Sequence, residues 1–143
     1  MKNYTSLQSI QADLYAGDIT CRQLVEFYLQ NITEKNTQLN AFLKVFDQEA
    51  LAKADEIDQK IKAGTAGKLA GMVIGIKDNI CYKNHQVSAS SKMLDGFISP
   101  YSSTVVERLI SEDAIIIGRH GLLYRCDITR RQNPIIIAIF PSI

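Results

Sequence analysis

Three features of the sequence predict an α/β fold. Segments opened by capping residues carry apolar side chains every three and four positions, as amphipathic helices do. Between them lie short apolar runs with no helical period, which read as buried strands. Glycines and polar clusters separate the two kinds, and strands alternating with helices imply a largely parallel sheet crossed over by those helices.

Taken in order, Thr5 and Gln8 form a capping-box pair ahead of Leu7, Ile10 and Leu14, and Gly17 supplies the stop of a short first helix. A second pair, Thr20 with Gln23, opens a stronger helix. Its Cys21, Leu24, Val25, Tyr28 and Ile32 share one face, and it is expected to run to about Lys35. After the polar stretch Asn36 to Asn40, the segment Ala41 to Phe46 places Phe42 and Phe46 in alternation with Leu43 and Val45 around Lys44, which suits a strand. A third helix follows, with Ala50, Leu51, Ala54, Ile57 and Ile61 on its apolar face. Acidic residues crowd its first half, lysines its end, and Gly64 and Gly67 break it, the order of charge that a helix dipole favours.

Leu69 to Ile80 reads as a buried strand built on Met72, Val73, Ile74 and Ile76, which delivers Lys77, Asp78 and Asn79 at its end. Gly71 and Gly75 read as strand glycines, and no glycine-rich phosphate loop is present. From Tyr82 to Ser103 the chain is polar and serine-rich. Thr104 and Glu107 then cap a helix carrying Val105, Val106, Leu109 and Ile110, and Ala114 to Ile117 forms a last short buried strand. Both apolar strands read as central and call for neighbours on two sides, most of which this chain is expected to leave unmade, so that unpaired strand edges favour self-association.

Composition narrows the function. The 143 residues carry 16 Lys and Arg against 15 Asp and Glu, and a formal charge of +1 gives no electrostatic reason to expect nucleic acid or an anionic membrane as a direct partner. With 46% hydrophobic and 22% charged residues, the chain has the make-up of one ordinary globular domain. No apolar run approaches a membrane span and no signal-peptide pattern opens the chain, so a cytoplasmic protein is expected. Cys21, Cys81 and Cys126 stand far apart, which argues for free thiols rather than a zinc site or a disulfide framework. His85 and His120 have no acid and nucleophile at recognisable spacing, and both read as surface or turn residues.

The chain changes character after Arg119. Residues 1–119 hold ten Lys and three Arg, whereas residues 120–143 hold Arg125, Arg130 and Arg131 and no Lys. The tail also carries the apolar run Ile135 to Phe140 between Pro134 and Pro141. Two readings stand: an edge strand that completes the sheet, or a segment from a shifted reading frame or recombination scar. The organisation is therefore read as 1–119 plus a divergent 120–143.

The stretch Gly71-Met72-Val73-Ile74-Gly75-Ile76-Lys77-Asp78-Asn79, then Ser90-Ser91-Lys92-Met93-Leu94, then Ala114-Ile115-Ile116-Ile117-Gly118-Arg119, resembles the amidase signature family over about residues 5–119. Within it the blocks resemble most the glutamine-hydrolysing subunits of tRNA-dependent amidotransferases. The resemblance implies the N-terminal part of a mixed sheet flanked by helices, incomplete in this chain. It also implies a Ser, cis-Ser, Lys triad whose lysine is Lys77. A lysine leaving the apolar run Met72 to Ile76 is expected to be partly withdrawn from water, as a buried base would be. Taken without the family, a strand-end lysine is more often a solvated charge or half of a pair with a neighbour such as Asp78.

In complete family members the bridging serine and the nucleophile lie in a downstream Gly- and Ser-rich segment that also helps form the oxyanion hole. Here the pattern departs at His120-Gly121-Leu122-Leu123-Tyr124-Arg125. Ser88, Ser90 and Ser91 match the family's serine-rich loop, with a loop-structural role expected. The resemblance thus implies a fragment inactive alone, no cofactor bound by this chain, ATP used only by the full assembly, other amidotransferase subunits as partners, and tRNA met only through that complex. The competing readings are a non-catalytic binding module and a free-amidase fragment complemented by a separate C-terminal part.

Overall fold

The computed structural model describes residues 4–121 together with the backbone of residues 136–138. The chain runs through α1 (Leu7–Ala16), α2 (Cys21–Leu39), β1 (Phe42–Val45), α3 (Asp47–Ala63), β2 (Val73–Lys77), a 3₁₀ turn (Lys92–Leu94), α4 (Thr104–Ser111), β3 (Ile115–His120) and β4 (Ile136–Ala138). The α/β class follows from the sequence, and the sheet is mixed, as the family resemblance implies and the alternation of strands and helices does not. Its order is β1-β3-β2-β4, with β2 and β3 parallel and both outer pairings antiparallel. The expectation of a largely parallel sheet fails because β1 reaches β3 by long-range pairing, anchored where Phe46 N–H donates to Ile117 O at 2.8 Å.

Both apolar strands are central. β3 lies between β1 and β2, and β2 lies between β3 and β4, so the expectation that these two strands are left with unpaired edges fails: β1 and β4 supply the missing neighbours within this one chain. The strand pattern is displaced at its ends: β2 is shorter than Leu69 to Ile80, and β3 extends three residues beyond Ile117. Gly71 stands before β2 in a turn with φ 83°, its α-carbon facing Leu14 and Ile10, rather than in the strand. In the tail, β4 falls within the apolar run, while Ile135 and Ile139 lie outside the described residues.

Alternation along the strands splits the core into two layers. Val73, Ile115 and Ile117 face α1, α2 and α3, packing with Ile10, Leu14, Leu24, Val25, Tyr28, Ala54 and Ile57. Ile74, Ile76 and Ile116 face the other way, toward Val106, Leu109 and Ile110 of α4. A strand buried on both faces must be continuously apolar, which is what the two isoleucine-rich runs supply.

The helix caps are partly those of the sequence. The Thr20–Gln23 box forms as read. At α1 the cap is Ser6, not Thr5, and at α4 it is Ser103, not Thr104, because in each case the neighbouring serine hydroxyl is the one that reaches the third-position amide. Helix α2 continues past Lys35 to Leu39, and Asn40 ends it in the left-handed region at φ 48°. The extension has a tertiary cause: the Asn36 side chain donates to Phe42 O at 3.0 Å and accepts from Phe42 N–H at 2.8 Å, pairing β1 from its outer side. A second cross-element cap fastens α2 to α3, where the Asp58 carboxylate accepts from the amides of Cys21 at 2.7 Å and Arg22 at 3.2 Å. Cys21 and Cys81 are free thiols, and burial, followed by the nearby Asp58, pushes the Cys21 thiol well up. Cys126 lies outside the described residues.

Candidate functional site

The chemistry of the chain concentrates where β2 and β3 end side by side. Lys77 is the last residue of β2, half-buried, and its Cα partner across the parallel pairing is His120. The turn that follows is fastened from several directions. Asp78 N–H donates to His120 O at 3.1 Å, and Ile80 N–H donates to Lys77 O at 3.0 Å. Arg119 extends its guanidinium under the turn, and its Nη1 donates to Lys77 O at 3.2 Å and Ile80 O at 3.0 Å.

Asp78 is buried and turns away from Lys77. Its carboxylate accepts from Ser88 Oγ at 2.5 Å and Ser88 N–H at 3.2 Å, and lies 3.7 Å from Arg119 Nη1. Its carbonyl accepts from Ala89 N–H at 3.0 Å. The lysine is therefore not paired with its neighbouring aspartate, and among the described residues no carboxylate lies within ion-pair distance of the Lys77 ammonium. An exposed lysine finds its stabilisation in water, whereas a half-buried one without a counter-ion is left available to a group brought to it.

The serines of the loop are engaged locally. Ser88 ties the loop to Asp78, Ser90 N–H donates to Ser88 Oγ at 3.3 Å, and Ser91 caps the 3₁₀ turn through Met93 N–H. Ala89 and Ser90 adopt left-handed backbone, with φ of 48° and 56°, so this corner is tightly bent. None of these serines makes a hydrogen bond to Lys77 among the described residues.

Of the two histidines read as surface or turn residues, His85 keeps a turn placement and His120 does not. His120 is buried at the end of β3, its ring tilted against Phe42 with centroids 4.1 Å apart, and it occupies the space left by the missing side chain of Gly75. Burial pushes its imidazole below the usual range, against a smaller upward pull from the Ala41 backbone. His85 does sit in a turn, yet it is largely covered: it stacks on Tyr82 at 4.0 Å and meets the edge of Phe46 at 4.4 Å. The fold also gives it an acid that the sequence places 36 positions away, with His85 Nε2 at 3.1 Å from Glu49 Oε1, while Nδ1 meets Lys83 O at 2.8 Å. Both ring nitrogens are thus occupied, and no hydroxyl or thiol stands among those partners.

A cleft of about 730 Å³ opens beside this region, and Phe46, Glu49, Asp78, His85, Ser88 and Arg119 are among the residues that line it. Arg119, His120 and Glu49 are the residues of this corner that sequence reasoning missed. A basic residue at a strand end carries no mark of burial, and the one available signal for His120 was the glycine at position 75 that makes room for it. Among the described residues no three His, Cys, Asp or Glu side chains converge as metal ligands do, and no helix is long and apolar enough to cross a membrane.

Comparison with known proteins places this geometry in context. Residues 23–122 match the family described as Amidase. A glutamyl-tRNA(Gln) amidotransferase subunit of Chlorobium phaeobacteroides is 38% identical over 121 residues, which are 84% of this chain and 25% of that relative. The protein of the same name from Methanothermobacter thermautotrophicus is 46% identical over 101 residues, 70% of this chain and 22% of the relative. Among solved structures, the native peptide amidase of Stenotrophomonas maltophilia superposes with a TM-score of 0.75 at 30% identity, covering 81% of this chain and 24% of that one. A bacterial aryl acylamidase shares the fold, with a TM-score of 0.73 at 23% identity, covering 82% of this chain and 25% of that one. The chain spans about a quarter of the length of the curated relatives it matches.

Proposed function

This chain belongs to the amidase family, and we propose that it is the N-terminal part of a glutamine-hydrolysing subunit of a tRNA-dependent amidotransferase, to which it contributes Lys77 as the lysine of a Ser, cis-Ser, Lys triad. The observation that carries the reading is the setting of Lys77: a half-buried lysine at the end of a central strand, with Asp78 held by Ser88 and Arg119 instead. The names and identities of the relatives support the substrate class.

In this reading a serine supplied by downstream sequence attacks the carboxamide carbon of glutamine. Its proton passes through a bridging serine to the Lys77 amine and from there to departing ammonia, leaving a glutamyl ester that water hydrolyses. The ammonia is used by a partner subunit that amidates misacylated tRNA at the expense of ATP, so neither ATP nor tRNA is bound by these residues. The 143 residues alone lack the nucleophile and the oxyanion donors, which provide most of the catalysis of acyl transfer, and they are inactive by themselves.

The test is ammonia release from glutamine in the cytoplasmic conditions expected for such an assembly. The purified chain is expected to match its Lys77→Ala variant at background. Joined to the C-terminal three quarters of the Chlorobium phaeobacteroides relative, the chain is expected to gain glutaminase activity, and Lys77→Ala to lower kcat by about 10²–10⁴-fold. Turnover by the unjoined chain above its Lys77→Ala control would overturn the reading and make a local serine the nucleophile. A joined protein that hydrolyses other amides and leaves glutamine intact would favour a free amidase.

A further inference from the structure

Arg119 is an anomalous residue for its position. The residue is 3% exposed at the end of a central strand, a place usually filled by an apolar side chain. Only Nη1 has hydrogen-bond acceptors, while Nε and Nη2 are buried with no partner among the described residues. Among the described residues the carboxylate in reach, Asp78, stands 3.7 Å from Nη1, too far for a good hydrogen bond and already held by Ser88. Burial lowers the affinity of the guanidinium for its proton, with Asp78 only partly opposing. A buried cation with two idle donors reduces stability, so its role is to be sought in the bonds it does make.

Those bonds go to two carbonyls, Lys77 O and Ile80 O, which bracket the turn leaving β2. Lys77 O also accepts from Ile80 N–H, so the same oxygen closes the turn and anchors it to β3. Because Arg119 pairs across the sheet with Ile76, it lies on the opposite face of the sheet from Lys77 and grips the backbone from behind. A side chain of four methylenes is aimed by the direction of its Cα–Cβ bond, and that direction is set by the peptide planes on either side.

We propose that Arg119 is a positioning residue for Lys77: its guanidinium fixes the peptide carbonyls of the Lys77–Ile80 turn and thereby the direction in which the Lys77 amine leaves the sheet. The proposal rests on the triad reading for its catalytic meaning, but its geometry is testable without any turnover. The natural probe is acylation of lysines by trace acetic anhydride, read at each of the ten lysines by peptide mass spectrometry. The exposed Lys44 and Lys92 serve as internal references.

In the unmodified chain Lys77 is expected to react at least threefold more slowly than Lys44 and Lys92. In Arg119→Met, which keeps the length and removes the donors, Lys77 should rise to within twofold of those references, with the other lysines unchanged. In Arg119→Lys, which restores a donor and the charge beside Asp78, it should fall back toward the parent value. An Arg119→Met chain that unfolds cooperatively yet leaves Lys77 as slow as in the parent overturns the proposal. If Arg119→Met does not fold, the unmodified chain decides: the Arg119 guanidinium protons should exchange at least tenfold more slowly than those of the exposed Arg22 and Arg108, and equal rates overturn it. Slow Lys77 labelling that depends on Arg119, in a joined protein where Lys77→Ala leaves activity intact, would keep the clamp and reject the triad reading.

Discussion

Replacing Gly75 by alanine asks whether the contact between β2 and β3 is governed by the histidine that Gly75 faces. A Cβ at this position would lie 1.9 Å from Nε2, 2.5 Å from Cδ2 and 3.0 Å from Cε1 of His120. Ordinary contact is about 3.5–4 Å, so the ring has to retreat by roughly 1.5–2 Å. It is poorly placed to do so, because Phe42 packs against it at 4.1 Å and the carbonyl of His120 is held by Asp78 N–H. Forcing an extra methyl into a filled core destabilises by about 1–3 kcal/mol. Gly75 is not among the residues with positive φ, so alanine also gains about 0.4–1 kcal/mol by restricting the unfolded chain. The net expectation is a loss of about 1–2 kcal/mol. In a His120→Ala background the obstruction is gone and only the gain remains, so Gly75→Ala there should be neutral or stabilising. Urea unfolding followed by far-UV circular dichroism on the four proteins gives the coupling directly, expected at about 2 kcal/mol. A loss of equal size in both backgrounds would refute the reasoning and point to the backbone.

Two further outcomes follow from contacts described above. Asp58→Ala removes the acceptor of two first-turn amides of α2 and should lower stability by about 1–2 kcal/mol, with Asp58→Asn intermediate; unchanged urea midpoints for both would show that water replaces the cap without loss. His120 is held neutral by burial, so the unfolded chain takes up its proton first as pH falls: the stability this provides is complete above about pH 6.5 and is lost as pH drops from there toward the depressed folded value. Melting temperatures from pH 8 to 5 should therefore fall less in His120→Gln than in the parent, and parallel curves would contradict the assignment.

The helices and central strands were legible because each rests on local information: a 3.6-residue period, a cap, or an isoleucine run. Errors entered where two adjacent residues could do the same local job, as with Thr5 and Ser6 or Ser103 and Thr104, and where a distant group decided the outcome. The polar run Asn36 to Asn40 reads as a loop until Phe42 is seen to use the Asn36 amide, which keeps the last turn of α2 helical. At the site, Lys77 came from a block of nine residues whose resemblance is specific, and its location at a strand end came from the same block. Arg119 and the Glu49–His85 pair were not legible, since burial and a 36-residue separation are consequences of topology that no local pattern encodes. The antiparallel placement of β1 was missed for the same reason.

The amide of Asn36 also decides where this sheet ends. At Phe42 it takes up the two main-chain groups that a further strand would need, acting as a one-residue surrogate for a neighbouring peptide. An extended segment approaching from that side meets a rung already filled at Phe42. Recruitment of additional strands, whether from the rest of an amidase chain or from a second molecule, is thereby directed to the opposite margin, beyond β2, where β4 now lies. A single side chain in α2 thus gives the sheet a finished side and a side from which it can be continued.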